Sequence, residues 1–329
     1  MTGPEPQDEG DDPIARSLGQ GLRRKPLSDE ALARVRAAVQ TEWEASMPAA
    51  RRWRGFKRLG LAASVACLGL VAAFWLRPSA AVVSVGTIAR LESGGLALQS
   101  NLYADRTLGV GTVLHAGETI ASHGSALINL QEGGTLRVAP GTVLTAQSPN
   151  EMELREGRIY VDLPPGLVRS STFRVATPSG LVEHLGTQFE VSTVNSDVRI
   201  RVREGAIRLR RPSGTETAEA GTELVVPQAG PVVRERLQTH GRSWAWVEAL
   251  APDFEIEDRQ LMDFLQWAGR ETGRQVDFGD DHAREVAVRT RLRGSVSGLT
   301  PLEAIERVLS TTSLRFELHG DAIRVSSGG

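Results

Sequence analysis

The stretch RRWRGFKRLGLAASVACLGLVAAFWLRP, residues 51–78, restricts this chain more than any other. Five basic residues, Arg51, Arg52, Arg54, Lys57 and Arg58, precede eighteen uncharged residues from Leu59 to Leu76, and Arg77 closes the run. At 1.5 Å per residue the run makes about 27 Å of helix, enough to cross a hydrocarbon core. Its eight Leu, Val and Phe residues each favour the bilayer centre by roughly 0.3–0.6 kcal/mol, and no charge offsets them. Trp53 and Trp75 stand near the two ends, where amphipathic rings favour the interface. A buried core helix is one alternative, but Arg clusters rarely flank such a helix so closely. A cleaved signal peptide is another. "PSAAV" at 78–82 resembles a cleavage site, yet a 58-residue polar lead is too long for a signal n-region. The reading carried forward is a retained single span. Five positive charges before it and one after it place the N-terminus in the cytoplasm and the long C-terminal part across the membrane.

Composition then removes whole classes of function. The 329 residues are 40% hydrophobic, enough for two or three compact domains. A net charge of -2 gives no basic surface for nucleic acid. Cys67 is the single cysteine and lies inside the apolar run, so no intramolecular disulfide, CxxC site or zinc knuckle can form. Lys25 and Lys57 are the only lysines, which excludes Schiff-base chemistry beyond residue 57. No Walker loop, GxSxG elbow or HExxH is present; "GVG" at 109–111 lacks the third glycine. The six histidines (115, 123, 184, 240, 282 and 319) lack metal-ligand spacing and read as surface or turn residues. The expectation is a non-enzyme with no catalytic residue, cofactor or metal.

Residues 1–58 are too few to bury much of their own surface. Residues 1–12 are acidic and read as disordered. Asp12-Pro13 resembles a helix start. A stronger helix begins at Ser28, with Asp29 and Glu30 at its positive end and Leu27 able to staple onto Leu32. Leu32, Val35, Val39 and Trp43 fall on one apolar stripe. That stripe must be covered, either by the membrane surface or by a cytosolic partner that takes a helix in a groove.

Beyond the span at 59–76, residues 77–227 read as an all-β domain, a sandwich or a solenoid. Short runs such as "ALINL" (126–130), "TLRVA" (135–139), "RIYVDL" (158–163), "FEVSTV" (189–194) and "VRIRVREGAIRLR" (198–210) alternate with turn residues. Arg-Glu-Gly recurs before a strand at 155–157 and 203–205. Residues 228–252 read as a linker with a short helix. Residues 253–329 change period and predict a small α+β module ordered βαββαββ. Its first strand is "FEI" (254–256), followed by a helix capped by Asp258 and ending near Gly273. Strands at Val276/Phe278 and Val286/Val288/Leu292 come next, then a capping box at Thr300-Pro301-Leu302-Glu303, then a hairpin through "HGD".

In "TPSGLVEHLGTQFEV" (177–191) and "VRIRVREGAIRL" (198–209) the sequence resembles FecR-type transmembrane regulators. The matching positions are Thr177, Pro178, Gly180, Gly186, Thr187, Phe189, Val191, Val202, Glu204, Gly205 and Ile207. Physically these are tight turns feeding strands, a fold signature and not a reactive site. "FEIEDRQLMDFLQWAGRETG", "LRGSVSGLTPLEAIERVL" and "TTSLRF" are similar to the short N-terminal (STN) signalling domain of secretins and TonB-dependent transducers. The resemblance implies an inner-membrane, single-pass anti-sigma factor. Its N-terminus would hold an extracytoplasmic-function sigma factor, and its periplasmic part would meet an outer-membrane TonB-dependent receptor, with iron uptake as the family's habit. Relatives carry a longer N-terminal region with several tryptophans, where this chain has only Trp43 and Trp53. The competing expectation is an inner-membrane scaffold whose periplasmic domains bind cell wall, polysaccharide or a secretion channel.

Overall fold

The alternation in "TLRV" and "RIYVD" puts every second side chain on one face of a strand, and that face must be buried. The computed structural model describes residues 28–45, 83–99, 106–163, 172–186, 188–194 and 197–328. The chain divides into two units, residues 1–79 and 80–329.

In the first unit, helix α1 spans Asp29–Ala45 with Asp29 and Glu30 in its first turn. Ser28 accepts a bond from the backbone of Ala31 at 2.8 Å. Asp12-Pro13, Leu27, the basic cluster and the uncharged run at 59–76 lie outside the described residues. Among the described residues no helix is long and apolar enough to cross a membrane.

In the second unit, seventeen strands among the described residues hydrogen-bond into one sheet that curls over its own core. One ladder runs through Val113–His115, Ser84–Leu91, Ala126–Leu130 and Thr135–Val138 to the second half of Glu151–Asp162. It continues through Gln188–Val194, Asp197–Glu204, Thr222–Val226 and Val233–Arg236. The other ladder runs through Arg106–Leu108, Leu96–Gln99, Thr119–Ser122 and Val143–Ser148 to the first half of Glu151–Asp162. It continues through Arg174–Thr177, Gly180–His184, Ala206–Arg211 and Gly214–Glu219. The two faces enclose one apolar cluster, with Leu136, Leu144, Leu154, Val161, Phe189, Val202 and Leu209 fully buried. Each such side chain contributes roughly 1.5–3 kcal/mol by leaving water.

The repeated Arg-Glu-Gly marks the two corners of this curl. Glu156 pairs with Val143 in one ladder, while Gly157 pairs with Thr193 in the other. Likewise Glu204 pairs with Gln188, and Ala206, one residue past Gly205, pairs with Glu219. Gly157 and Gly205 take φ of 92° and 73°, a region that costs a side-chain-bearing residue dearly. A Cβ on Gly157 would also collide with the backbone and hydroxyl of Thr142. Glycine is therefore what lets one strand pass between ladders.

Residues 228–252 contain the strand Val233–Arg236, a 3-10 turn Arg242–Trp244 and helix α2, Ala245–Ala249. After them, helix α3 spans Leu261–Thr272 and closes on Gly273 in the left-handed region. A strand Gln275–Phe278, helix α4 (Asp281–Arg289), helix α5 (Pro301–Leu309) and the hairpin Leu314–His319/Ala322–Ser327 complete the α+β module. The Thr300–Glu303 capping box forms with Pro301 in the first turn.

Three expectations fail here. Residues 254–256 form no strand; Phe254 instead packs edge-on against Phe264 at 5.6 Å. Residues 286–289 are helical and not extended, because the Asp280 carboxylate caps α4 by accepting from the Ala283 N–H at 2.7 Å, which lets Ala283 and Ala287 enter the core. Val288 is left exposed. Finally, α3 is capped at Gln260, while Asp258 sits before it at φ 58°. The order after residue 253 is therefore αβααββ, with only a single bridge between Gln260 and Arg291 standing in for two strands.

Candidate functional site

On the ladder that contains Gln188–Val194, the residues between core positions point outward and line up across strands. Arg137 lies opposite Tyr160, Tyr160 opposite Glu190, Glu190 opposite Arg201, and Arg201 opposite Glu223. A neighbouring row sets Asp162 opposite Gln188, whose amide donates to the carboxylate at 3.0 Å. An outward polar row would ordinarily face water. Here Arg137, Tyr160, Gln188, Glu190 and Arg203 are all buried.

The cover comes from residues 237–250 and from α3. Trp244 is fully buried and meets Tyr160 edge-on at 6.0 Å between ring centroids. Arg137 donates to the Val247 carbonyl at 2.7 Å and to the Glu271 carboxylate at 2.6 Å, and its guanidinium lies 5.0 Å from the Tyr160 ring centre. Arg203 donates to the carbonyls of Thr239 (2.7 Å) and Glu271 (2.9 Å) and to the Glu248 carboxylate (2.9 Å). Arg270 joins α3 to both Asp162 and Glu204. Trp246 donates its indole N–H to Glu190 at 2.7 Å. Arg90 holds the far end, with bonds to the Ala251 carbonyl (2.6 Å) and Asp253 (3.0 Å).

Burial sets the electrostatics of this seat. It pushes the Glu271 carboxyl above its ordinary range, with Arg137 pulling it back. Glu190 is raised by burial against the Trp246 bond and Arg201, and Glu248 is raised by burial against Arg203. The Tyr160 hydroxyl is likewise raised by burial, and it has no hydrogen-bond partner among the described residues. Guanidinium groups stay charged, so each carboxylate here meets a fixed cation. The chemistry of such a cluster is docking: charge-assisted bonds fix one geometry of the α+β module on the sheet.

The residues singled out by sequence lie elsewhere. On α1, Val35 and Val39 are 57% and 62% exposed; the side chains of Leu32 and Trp43 lie outside the described residues. In the second unit, Thr177 donates to the Gly180 carbonyl at 2.7 Å across a turn topped by exposed Pro178. Gly180 has φ 145°, and a Cβ there would stand 2.6 Å from the Arg210 carbonyl. Phe189, Val191, Val202 and Ile207 meet in the one core. The Gly186 N–H donates to His184 Nδ1 at 3.1 Å, and Thr187 lies outside the described residues. Among the described motif residues, Glu204 reaches the seat, through Arg270. His184 stands at the turn before Gly186, as the reading of the histidines as surface or turn residues allows, but it is 3% exposed, and burial lowers its pKa. Sequence reading missed Arg137, Tyr160, Arg203, Trp244 and Glu271; the signal that could have found the cover is the "SWAW" cluster at 243–246.

Comparison with known proteins bears on the β unit. No curated protein matches the sequence. Two crystal structures, at 2.50 and 1.65 Å, of a protein from Parabacteroides distasonis provisionally assigned as an anti-sigma factor align with 64% of this chain. They share 14% identity and a TM-score of 0.33, and the alignments take in 97% and 98% of those chains. Residues 118–208 match the family model described as FecR protein; that segment spans both glycine corners and every motif residue from Thr177 to Ile207.

Proposed function

We propose that this chain is a single-pass inner-membrane regulator: an anti-sigma factor that relays a periplasmic signal from an outer-membrane TonB-dependent receptor to a cytosolic extracytoplasmic-function sigma factor. The observation that carries this reading is the FecR family match over 118–208. It is supported by the order of the sequence around it. A helix-bearing N-terminal segment, 1–58, comes first; a basic cluster and an uncharged run, 59–76, follow; the β unit and the α+β module, 253–329, come last. In this reading the stripe of Leu32, Val35, Val39 and Trp43 docks on the sigma factor and occludes its polymerase-binding surface. The C-terminal, STN-like module meets the receptor's signalling domain. Residues 77–227 and the 228–252 connection hold that module through the arginine seat. No step of the account calls for catalysis.

The test is transcriptional. Deleting the gene for this chain should change expression from promoters of one alternative sigma factor, and the full-length chain should restore it. Restoration by residues 80–329 alone, or no change in any sigma regulon, would contradict the reading and favour a scaffold bound to the cell wall.

A further inference from the structure

We propose that the free edge of the strand Gln275–Phe278 is a docking groove for an extended, basic segment of a partner polypeptide, which adds to the C-terminal sheet as a fourth strand. In that three-stranded sheet Gln275–Phe278 is outermost and, among the described residues, pairs in parallel with Ala322–Ser327 on one side only. Its backbone directions are fixed at both ends. The Gln275 N–H donates to the Asp321 carbonyl and the Gly279 N–H to the Val325 carbonyl, each at 2.8 Å. Residues two apart in a strand present their backbone groups to the same side. Val276 and Phe278 therefore turn their N–H and C=O groups away from the sheet.

Along that edge lies a cavity of about 470 Å³, lined by Met262 and Gln266 of α3, by 276–279 of the strand, and by Arg284 of α4. That is the size range of built ligand pockets. An uncovered strand edge is a template for another strand, and proteins usually blunt it with charge or cover. The charges at this edge select a partner instead. Asp277, Asp280 and Asp281 line the cavity with one lining cation, Arg284, which lies 5.9 Å from the Phe278 ring centre, and Arg324 stands opposite Asp277 on the adjoining strand, so three carboxylates face two guanidiniums. Asp280 spends its oxygens on Ala283 and Ser327 but keeps its charge. The groove is net negative, so it fits a basic segment. The opposite edge strand, Leu314–His319, carries both signs in Arg315 and Glu317 and selects neither. The inference concerns the C-terminal module alone and stands independently of sigma-factor binding by α1.

The experiment is fluorescence anisotropy with the full-length chain in detergent micelles. The probe is fluorescein-labelled Arg-Val-Arg-Val-Arg, compared with Glu-Val-Glu-Val-Glu and with Arg-Pro-Arg-Pro-Arg, which cannot complete a ladder. Saturable binding of the first peptide is expected, roughly tenfold tighter than either comparator. The same loss is expected for the first peptide on D277K/D281K, two exposed positions. D277N/D281N removes the charges without adding bulk and serves if the lysine pair does not fold. Equal binding of the proline peptide would reduce the effect to charge alone and overturn the proposal. Unchanged binding on the variants, or no binding at all, would also overturn it.

Discussion

Arg137 and Glu271 meet at 2.6 Å across 134 residues of chain, with side-chain exposures of 0% and 3%. One stands on the outward face of a β-strand and the other on α3. Neither ion would be tolerated there alone. Removing one partner from such a pair strands the other in a low dielectric, whereas replacing both with apolar groups of similar size can be neutral. We expect E271A to cost about 3–5 kcal/mol of stability and R137M/E271L to recover most of that loss. Chemical denaturation of the four members of this double-mutant cycle measures it. Additive losses would show that the two residues are not coupled.

His184 gives the fold a pH dependence of known sign. Its Nδ1 accepts the Gly186 N–H and must be unprotonated to do so; burial lowers its pKa from the ordinary value near 6.5. The folded state thus binds this proton less tightly than the unfolded one. The contribution is complete above the ordinary histidine pKa and is lost as pH falls through the lowered folded value. Glu271, Glu190 and Glu248, all raised by burial, act oppositely: their contribution is full at low pH and is lost as pH rises through their folded values. The difference between wild type and H184N isolates the histidine. H184N, which keeps an acceptor without titrating, should show a shallower fall in thermal midpoint on mild acidification. Parallel pH profiles would remove His184 from the account.

Gly157, at a corner, and Gly141, in a turn, predict a graded effect. At Gly157 a Cβ meets Thr142, whereas at Gly141, also at positive φ (72°), it meets nothing within 4 Å. G141A should therefore cost about 1 kcal/mol for backbone strain alone. G157A adds overpacking of about 1–3 kcal/mol to that strain. Thermal or denaturant unfolding of the two variants compares them directly. Similar losses would mean that the strand can shift at Gly157 without disturbing Thr142.

Sequence and structure agree where local chemistry decides the outcome. Thr300-Pro301-Leu302-Glu303 contains its own cap, and α5 starts there. "ALINL" and "TLRVA" alternate or run apolar because one face enters the core, and both are strands. The echo of Arg-Glu-Gly was visible, but its meaning as a corner was not, since a corner exists only between two ladders. Val286 and Val288 suggested a strand because β-branched residues crowd there. The Asp280 cap and the burial of Ala283 and Ala287 made a helix instead. The seat was the least legible part. Arg137 at an outward strand position reads as solvent-facing, and only the packing of Trp244 and α3 over it, more than 100 residues later, removes it from water.

The central claim is that the N-terminal segment holds a sigma factor through the α1 stripe. Val35 and Val39 are open to solvent on that helix, so Asp at both should leave residues 80–329 folded while removing any apolar contact the stripe makes. The direct measurement is co-purification of the host's sigma factors with the tagged full-length chain, wild type against V35D/V39D. The account predicts stoichiometric capture of one sigma factor by the wild type and its loss in the double variant. No capture by the wild type, or equal capture by both, would contradict it.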